Sequence, residues 1–120
     1  MIHVMANLPD HVLGLSAEGE VTGGDYEETL IPAVEERNQR HGKVRILYHL
    51  GPAFTGYTAA AIWNDARLGL THRRNFEKIA VVTDADWCRY AVRLFAPLIP
   101  CPVRLFANAE LAAATDWIQS

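Results

Sequence analysis

A chain of 120 residues that is 50% hydrophobic and 21% charged, with a net charge of -3, has the make-up of an ordinary globular domain. That composition excludes a disordered or collagen-like chain, and the acidic balance excludes an overall electrostatic footprint for nucleic acid. Cys88 and Cys101 form no C-x-x-C pair, which excludes a disulfide scaffold and leaves a reducing cytoplasm as the expected location.

Residues 1–120 read as a single domain, without repeats or a Ser/Gly linker. The N-terminal Met1-Ile2-His3-Val4-Met5 lacks the basic start and long apolar stretch of a secretory leader. Every apolar run stops well short of the ~18 residues that cross a bilayer, so any membrane role is expected to be peripheral. Ile2 and Val4 alternate with polar neighbours, Asn7-Leu8-Pro9-Asp10 supplies turn chemistry, and residues 11–17 form a second strand, so a hairpin opens the fold. Thr22 followed by Asp25 then predicts a helix start, with Glu27 and Glu28 complementing the positive end of the dipole. Tyr26, Leu30, Ala33, Val34 and Arg37 recur at helical spacing until Gly42. Pro32 falls inside this helix, which predicts a kink or break near residues 28–31.

Residues 43–50 (KVRILYHL) carry apolar side chains on both parities, as in an interior strand of a parallel sheet. A Gly/Pro-containing loop is expected at 51–56, then a helix over 57–68 that Gly69 ends. Residues 78–83 (KIAVVT) give the next strand, with Asp84 placed to cap a helix carrying Trp87, Ala91, Leu94 and Phe95. Pro97 and Pro100 stop that helix, residues 103–106 form a fifth strand, and Asn108 is expected to cap a final helix with Leu111, Ala114 and Ile118 on one face. The order ββαβαβαβα predicts an α/β fold with a five-stranded mixed, mostly parallel sheet and helices mainly on one face. The opposite face reads Arg45, Leu47, His49 and Lys78, Ala80, Val82; it looks half wet, to be left to solvent, to a second copy or to a protein partner.

Gly19-Glu20-Val21-Thr22 with Asp25-Tyr26, Leu47-Tyr48, Phe54 with Gly56-Tyr57-Thr58, Trp63, Asp65, residues 76–84 (FEKIAVVTD), Trp87, Pro100 and Phe106 resemble the SpoIIAA-like family, which is related to STAS domains. The resemblance covers nearly the whole chain. It implies a mixed sheet with helices mainly on one side, a likeness to lipid-binding CRAL-TRIO domains, and roles in ligand binding and membrane association. STAS antagonists of anti-sigma factors are switched by a phosphorylated Ser at the start of the helix after the third strand. Here that stretch contains Thr55 and Thr58 and no serine, since the only serines are Ser16 and Ser120, so the phosphoserine switch is absent. A phosphate on either threonine would meet the free N–H groups of a helix start.

The scarcity of serine also removes serine-hydrolase chemistry. His3, His11, His41, His49 and His72 show no metal-ligand spacing, so neither a metal site nor a cofactor is expected. Cys88 sits in the first turn of a helix, where the dipole lowers a thiol pKa, against the plainer reading of a small buried side chain. Ligands of open α/β sheets bind beyond the C-terminal strand ends. That places the expected ligand contacts at His49, Phe54, Thr55, Tyr57, Thr58, Asp84 and Trp87, between the 51–58 connection and the helix after Asp84. Phe54 on a loop, with Arg73 and Arg74 after the preceding basic Arg67 and His72, offers lipid or anion contact. The expected function is a non-catalytic binding or regulatory module for a small apolar or amphipathic ligand or a protein partner. Peripheral membrane association is the alternative, and an enzyme using His49 or Asp84 as acid or base is the remaining class.

Overall fold

The two parities of the third strand face two different layers. The computed structural model describes residues 1–6, 8–71 and 75–120. Strand β1 (Ile2–Val4) pairs antiparallel with β2 (Val12–Val21), and β2, β3 (Val44–Tyr57), β4 (Phe76–Thr83) and β5 (Val103–Phe106) run parallel in the order β1-β2-β3-β4-β5. Between β2 and β3 lie α1 (Gly23–Asp25), a π turn (Tyr26–Leu30) and α2 (Ile31–His41); α3 (Ala59–Thr71) and α4 (Asp86–Phe95) make the next two crossovers, and α5 (Leu111–Gln119) follows β5. This is the single five-stranded, mostly parallel α/β sheet expected from the alternation of elements, with the helices of the three crossovers together on one face. Asn7 of the expected opening turn lies outside the described residues.

One face of the sheet, with Leu13, Leu15, Ile46, Tyr48, Leu50 and Val81, packs under Leu30 and Val34, Ala61 and Leu68, and Cys88 from the crossover elements. The other face was expected to stay half wet, and it is instead covered by α5, whose Ala114 and Ile118 close on Val12, Leu47, Ala80, Val82 and Phe106. The cations on that face have partners. Arg45 Nη1 donates to the carbonyls of Ile118 (3.0 Å) and Ser120 (2.6 Å), and Lys78 Nζ to those of Trp117 (3.2 Å) and Ser120 (3.0 Å). They therefore satisfy the free carbonyls at the negative end of α5 while their stems lie on apolar surface. Lys78 and Arg104 also stand over the Trp117 ring at 5.0 and 5.3 Å.

The start of the first crossover forms as its residue types require. Thr22 Oγ1 accepts from the Asp25 N–H (3.2 Å) and Asp25 Oδ2 accepts from the Thr22 N–H (2.8 Å), a reciprocal capping box. Pro32 has no N–H for the carbonyl four residues back and its ring crowds that carbonyl. The helix does not break there; it widens into the π turn, in which Ile31 N–H reaches the Tyr26 carbonyl. Tyr26 and Leu30 are both buried as a result.

Four boundaries differ from expectation. Residues 51–56 are not a loop: β3 continues to Tyr57 because β2 continues beside it, with Gly19 opposite Phe54 and Val21 opposite Tyr57. The register shifts around Gly19, whose φ of +62° is open to glycine at little cost, so the two strands run on past the end of β4 as a bulged, twisted ribbon. Asp84 does not cap α4. Ala85 holds the cap position without a side-chain bond, and Asp84 Oδ1 accepts from the Asn108 N–H (2.9 Å), tying the end of β4 to the turn after β5. Asn108 in turn lies inside a short 3-10 turn (Asn108–Glu110), and the Ala107 N–H that precedes it is bonded by the Glu110 carboxylate (2.7 Å) rather than by Asn108. The helix α3 runs through Gly69 to Thr71.

Candidate functional site

Helix α4 presents Cys88, Ala91 and Val92 toward the sheet, side chains too short to fill the space between a helix and the strands below it. The result is an apolar cavity of about 380 Å³ under α3 and α4. Its floor is Ile46, Tyr48 and Leu50 of β3 with Ile79 and Val81 of β4; its walls are Ile62, Asp65 and Leu68 of α3 and Trp87, Cys88, Ala91, Val92 and Phe95 of α4. It is open to solvent at its lip, where Trp87 is 49% and Phe95 54% exposed. A volume of this size, apolar with a few polar groups, is that of small-molecule sites in general.

The polar groups gather at one end. The Tyr26 hydroxyl, brought there by the π turn, donates to Asp65 Oδ1 (2.7 Å) and lies 3.4 Å from the Tyr48 hydroxyl. Asp65 keeps accessible surface because it lines the open cavity, yet the packed apolar surroundings push its carboxyl above the ordinary carboxylate range, with the Tyr26 hydrogen bond opposing that shift. Burial raises all three nearby phenols: Tyr26 well above its usual value, Tyr48 to about 12, and Tyr57 upward as well. These hydroxyls are therefore neutral across the physiological range, and act as hydrogen-bond donors and acceptors rather than as bases.

Of the residues expected to contact ligand, the structure brings three together. The Phe54 ring lies 5.2 Å from Tyr57 and 5.9 Å from Trp87, and Tyr57 lies 5.8 Å from Trp87, so the β3 extension and the first turn of α4 share one aromatic cluster at the cavity's edge. Tyr57 and Trp87 line the cavity itself, and Phe54 is half-buried rather than at the tip of a loop. A smaller cleft of about 280 Å³ lies beside it, between residues 50–54 and Thr83, Asp84, Ala85 and Asn108. Thr58 Oγ1 accepts from the Ala61 N–H (3.2 Å) as the cap of α3, and Thr55 is exposed on the ribbon. His49 lines neither cavity; it stands on the α5 side of the sheet, between Ser16 and Val82 in the neighbouring strands, where burial lowers its pKa. His49 and Asp84 thus do not face one hollow. His72, Arg73 and Arg74 lie outside the described residues.

Tyr26, Tyr48 and Asp65 carry part of the family resemblance but were not among the expected ligand contacts, because they lie on three elements. The one local signal is the position of Asp65 on α3, between Ala61 and Leu68 on the stripe that packs inward. Cys88 is buried, and burial, helped by the nearby Asp65 charge, pushes its thiol up to about 11. Burial outweighs the helix dipole, so at pH 8 only about one thiol in a thousand is ionised. Cys88 should alkylate with iodoacetamide about a hundredfold more slowly than free cysteine at that pH, read by mass spectrometry of the folded protein; reaction at the free-thiol rate would contradict its burial.

Among the described residues, no group of three or more His, Cys, Asp or Glu could hold a metal ion, and no helix is long and apolar enough to cross a membrane. The sheet, its three crossovers on one face and the hollow beneath α3 and α4 define a small α/β domain with a preformed cavity. The model of the SpoIIAA-like family matches residues 12–119, and the chain belongs to that family. An uncharacterized protein with a SpoIIAA-like fold from Shewanella loihica has a similar structure, with a TM-score of 0.77 and 24% identity, covering 98% of this chain and 92% of that one. No curated protein matches the sequence.

Proposed function

We propose that the protein is a non-catalytic binding module that takes a small apolar or amphipathic molecule into the cavity beneath α3 and α4. The cavity carries the reading: it is apolar, open at a lip of exposed Trp87 and Phe95, and large enough for a ligand of modest size. An empty apolar hollow forgoes dispersion contacts that a well-packed core would make, and a ligand restores them. In this reading Tyr57 and Trp87 touch the ligand from the wall, and Phe54 orients both rings. The absence of a common hollow for His49 and Asp84 supports binding over acid–base catalysis. The peripheral-membrane reading loses support at Phe54, which is half-buried in the cluster.

The test is displacement of a neutral apolar fluorophore, N-phenylnaphthylamine, from wild type and from Ala91→Trp. Ala91 lines the cavity on α4, and an indole there occupies the space a ligand needs. The probe should bind the wild type, shift the backbone amides of residues 62–68 and 84–95, and lose about a hundredfold in affinity in Ala91→Trp while the thermal midpoint holds. No binding to wild type, or equal binding to a folded Ala91→Trp, would remove the cavity as the site.

A further inference from the structure

We infer that the cavity's ligand is an amphiphile whose polar head donates hydrogen bonds, an amine or an alcohol, and that this head seats on Asp65 while carboxylate-headed lipids are turned away. This rests on the cavity being the binding site. Among the described residues, Asp65 is the one charged side chain that lines it, and no Lys, Arg or His of that set does. Its Oδ1 is held by the Tyr26 hydroxyl, whereas its Oδ2 accepts no hydrogen bond from any described residue. A carboxylate in apolar surroundings is costly until its lone pairs are satisfied, so a donor arriving at Oδ2 is favoured beyond its own tail contacts. The other groups that face Asp65 do not reverse this. Tyr26, Tyr48 and Tyr57 are neutral hydroxyls and Cys88 is a neutral thiol, so none supplies the positive charge that would hold an anionic head. Two carboxylates within one small cavity repel, and one of them must take up a proton before both fit.

The hydroxyls beside Asp65 lie deep, while Asp65 itself keeps accessible surface. Tyr26 is fully buried and Tyr48 nearly so, while Trp87 and Phe95 stand exposed at the lip. The head seats at Asp65 and the tail fills the apolar walls. This orientation makes head chemistry, rather than tail length alone, the determinant of affinity.

The experiment is competition against N-phenylnaphthylamine at pH 7 by dodecylamine, dodecanol and dodecanoate, each below its aggregation concentration. On wild type the amine and the alcohol should displace the probe at concentrations at least about tenfold below dodecanoate. In Asp65→Asn, which keeps the side chain's shape and an acceptor for Tyr26, the gap between amine and dodecanoate should close to about twofold. Dodecanoate competing as well as the amine on wild type overturns the inference and leaves the cavity reading standing, provided all three ligands fail on Ala91→Trp. Displacement by none of the three, with the probe itself bound, also overturns it. Failure of the probe to bind the wild type brings down the cavity reading as well. The wild-type ranking decides the matter even if Asp65→Asn folds poorly.

Discussion

Tyr26→Ala lowers the free energy of unfolding by about 4 kcal/mol in a urea titration, the largest loss expected of any single truncation outside the α5 face. Tyr26 is fully buried, its ring stands edge-on to Tyr57 at 6.3 Å, and its hydroxyl bonds Asp65 at 2.7 Å. Truncation therefore removes a whole aromatic ring from the core and leaves a carboxylate and the Tyr48 hydroxyl without their common neighbour. Tyr26→Phe separates the two contributions. It keeps the ring and deletes only the hydrogen bond, so it should cost about 1 to 3 kcal/mol, and should raise the Asp65 pKa further because the lost bond is the one that lowers it. A loss below about 1 kcal/mol in Tyr26→Ala would mean that the π turn does not hold this side chain in the core.

The second large effect belongs to the other face. Ile118→Ala should cost about 3 kcal/mol, with an unchanged denaturant slope, because Ile118 is fully buried among Val12, Leu47, Ala80, Val82 and Phe106 with no room for the layers to collapse. Gln119→Ala, one residue on and exposed, is the control and should change stability by no more than about 0.5 kcal/mol. Equal effects at the two positions would show α5 to be only loosely laid on the sheet. The proposed cavity is on the far side of the sheet from α5, so neither change should alter probe affinity in protein that remains folded.

These two residues also mark how far the candidate site was legible. Phe54, Tyr57 and Trp87 could be picked out because aromatic residues flank the C-terminal ends of recognisable parallel strands, where open sheets leave a crevice. His49 was picked by the same rule and misled, since alternation along β3 sends Tyr48 and Leu50 to the cavity face and Leu47 and His49 to the face under α5. Asp84 carried the residue type and position of a helix cap, and it does cap a turn, but one that arrives from the other side of β5. The polar end of the cavity had almost no sequence signature, because its members are 22 and 39 positions apart from Tyr26.

Short-range chemistry decided the elements. The Thr22–Asp25 capping box, the distortion ahead of Pro32, the alternation of strands and helices, and the double-sided burial of β3 and β4 all depend on residues within a turn or two of one another. Only the tertiary structure decided that residues 51–57 continue as a strand, because a Gly/Pro stretch becomes extended when β2 offers it hydrogen bonds. It likewise placed α5 over Arg45 and Lys78, whose charges find helix carbonyls rather than water. The cavity itself is a gap between surfaces: its size follows from how far α4 stands from the sheet once every other contact has been made, and no residue along the chain encodes that distance alone.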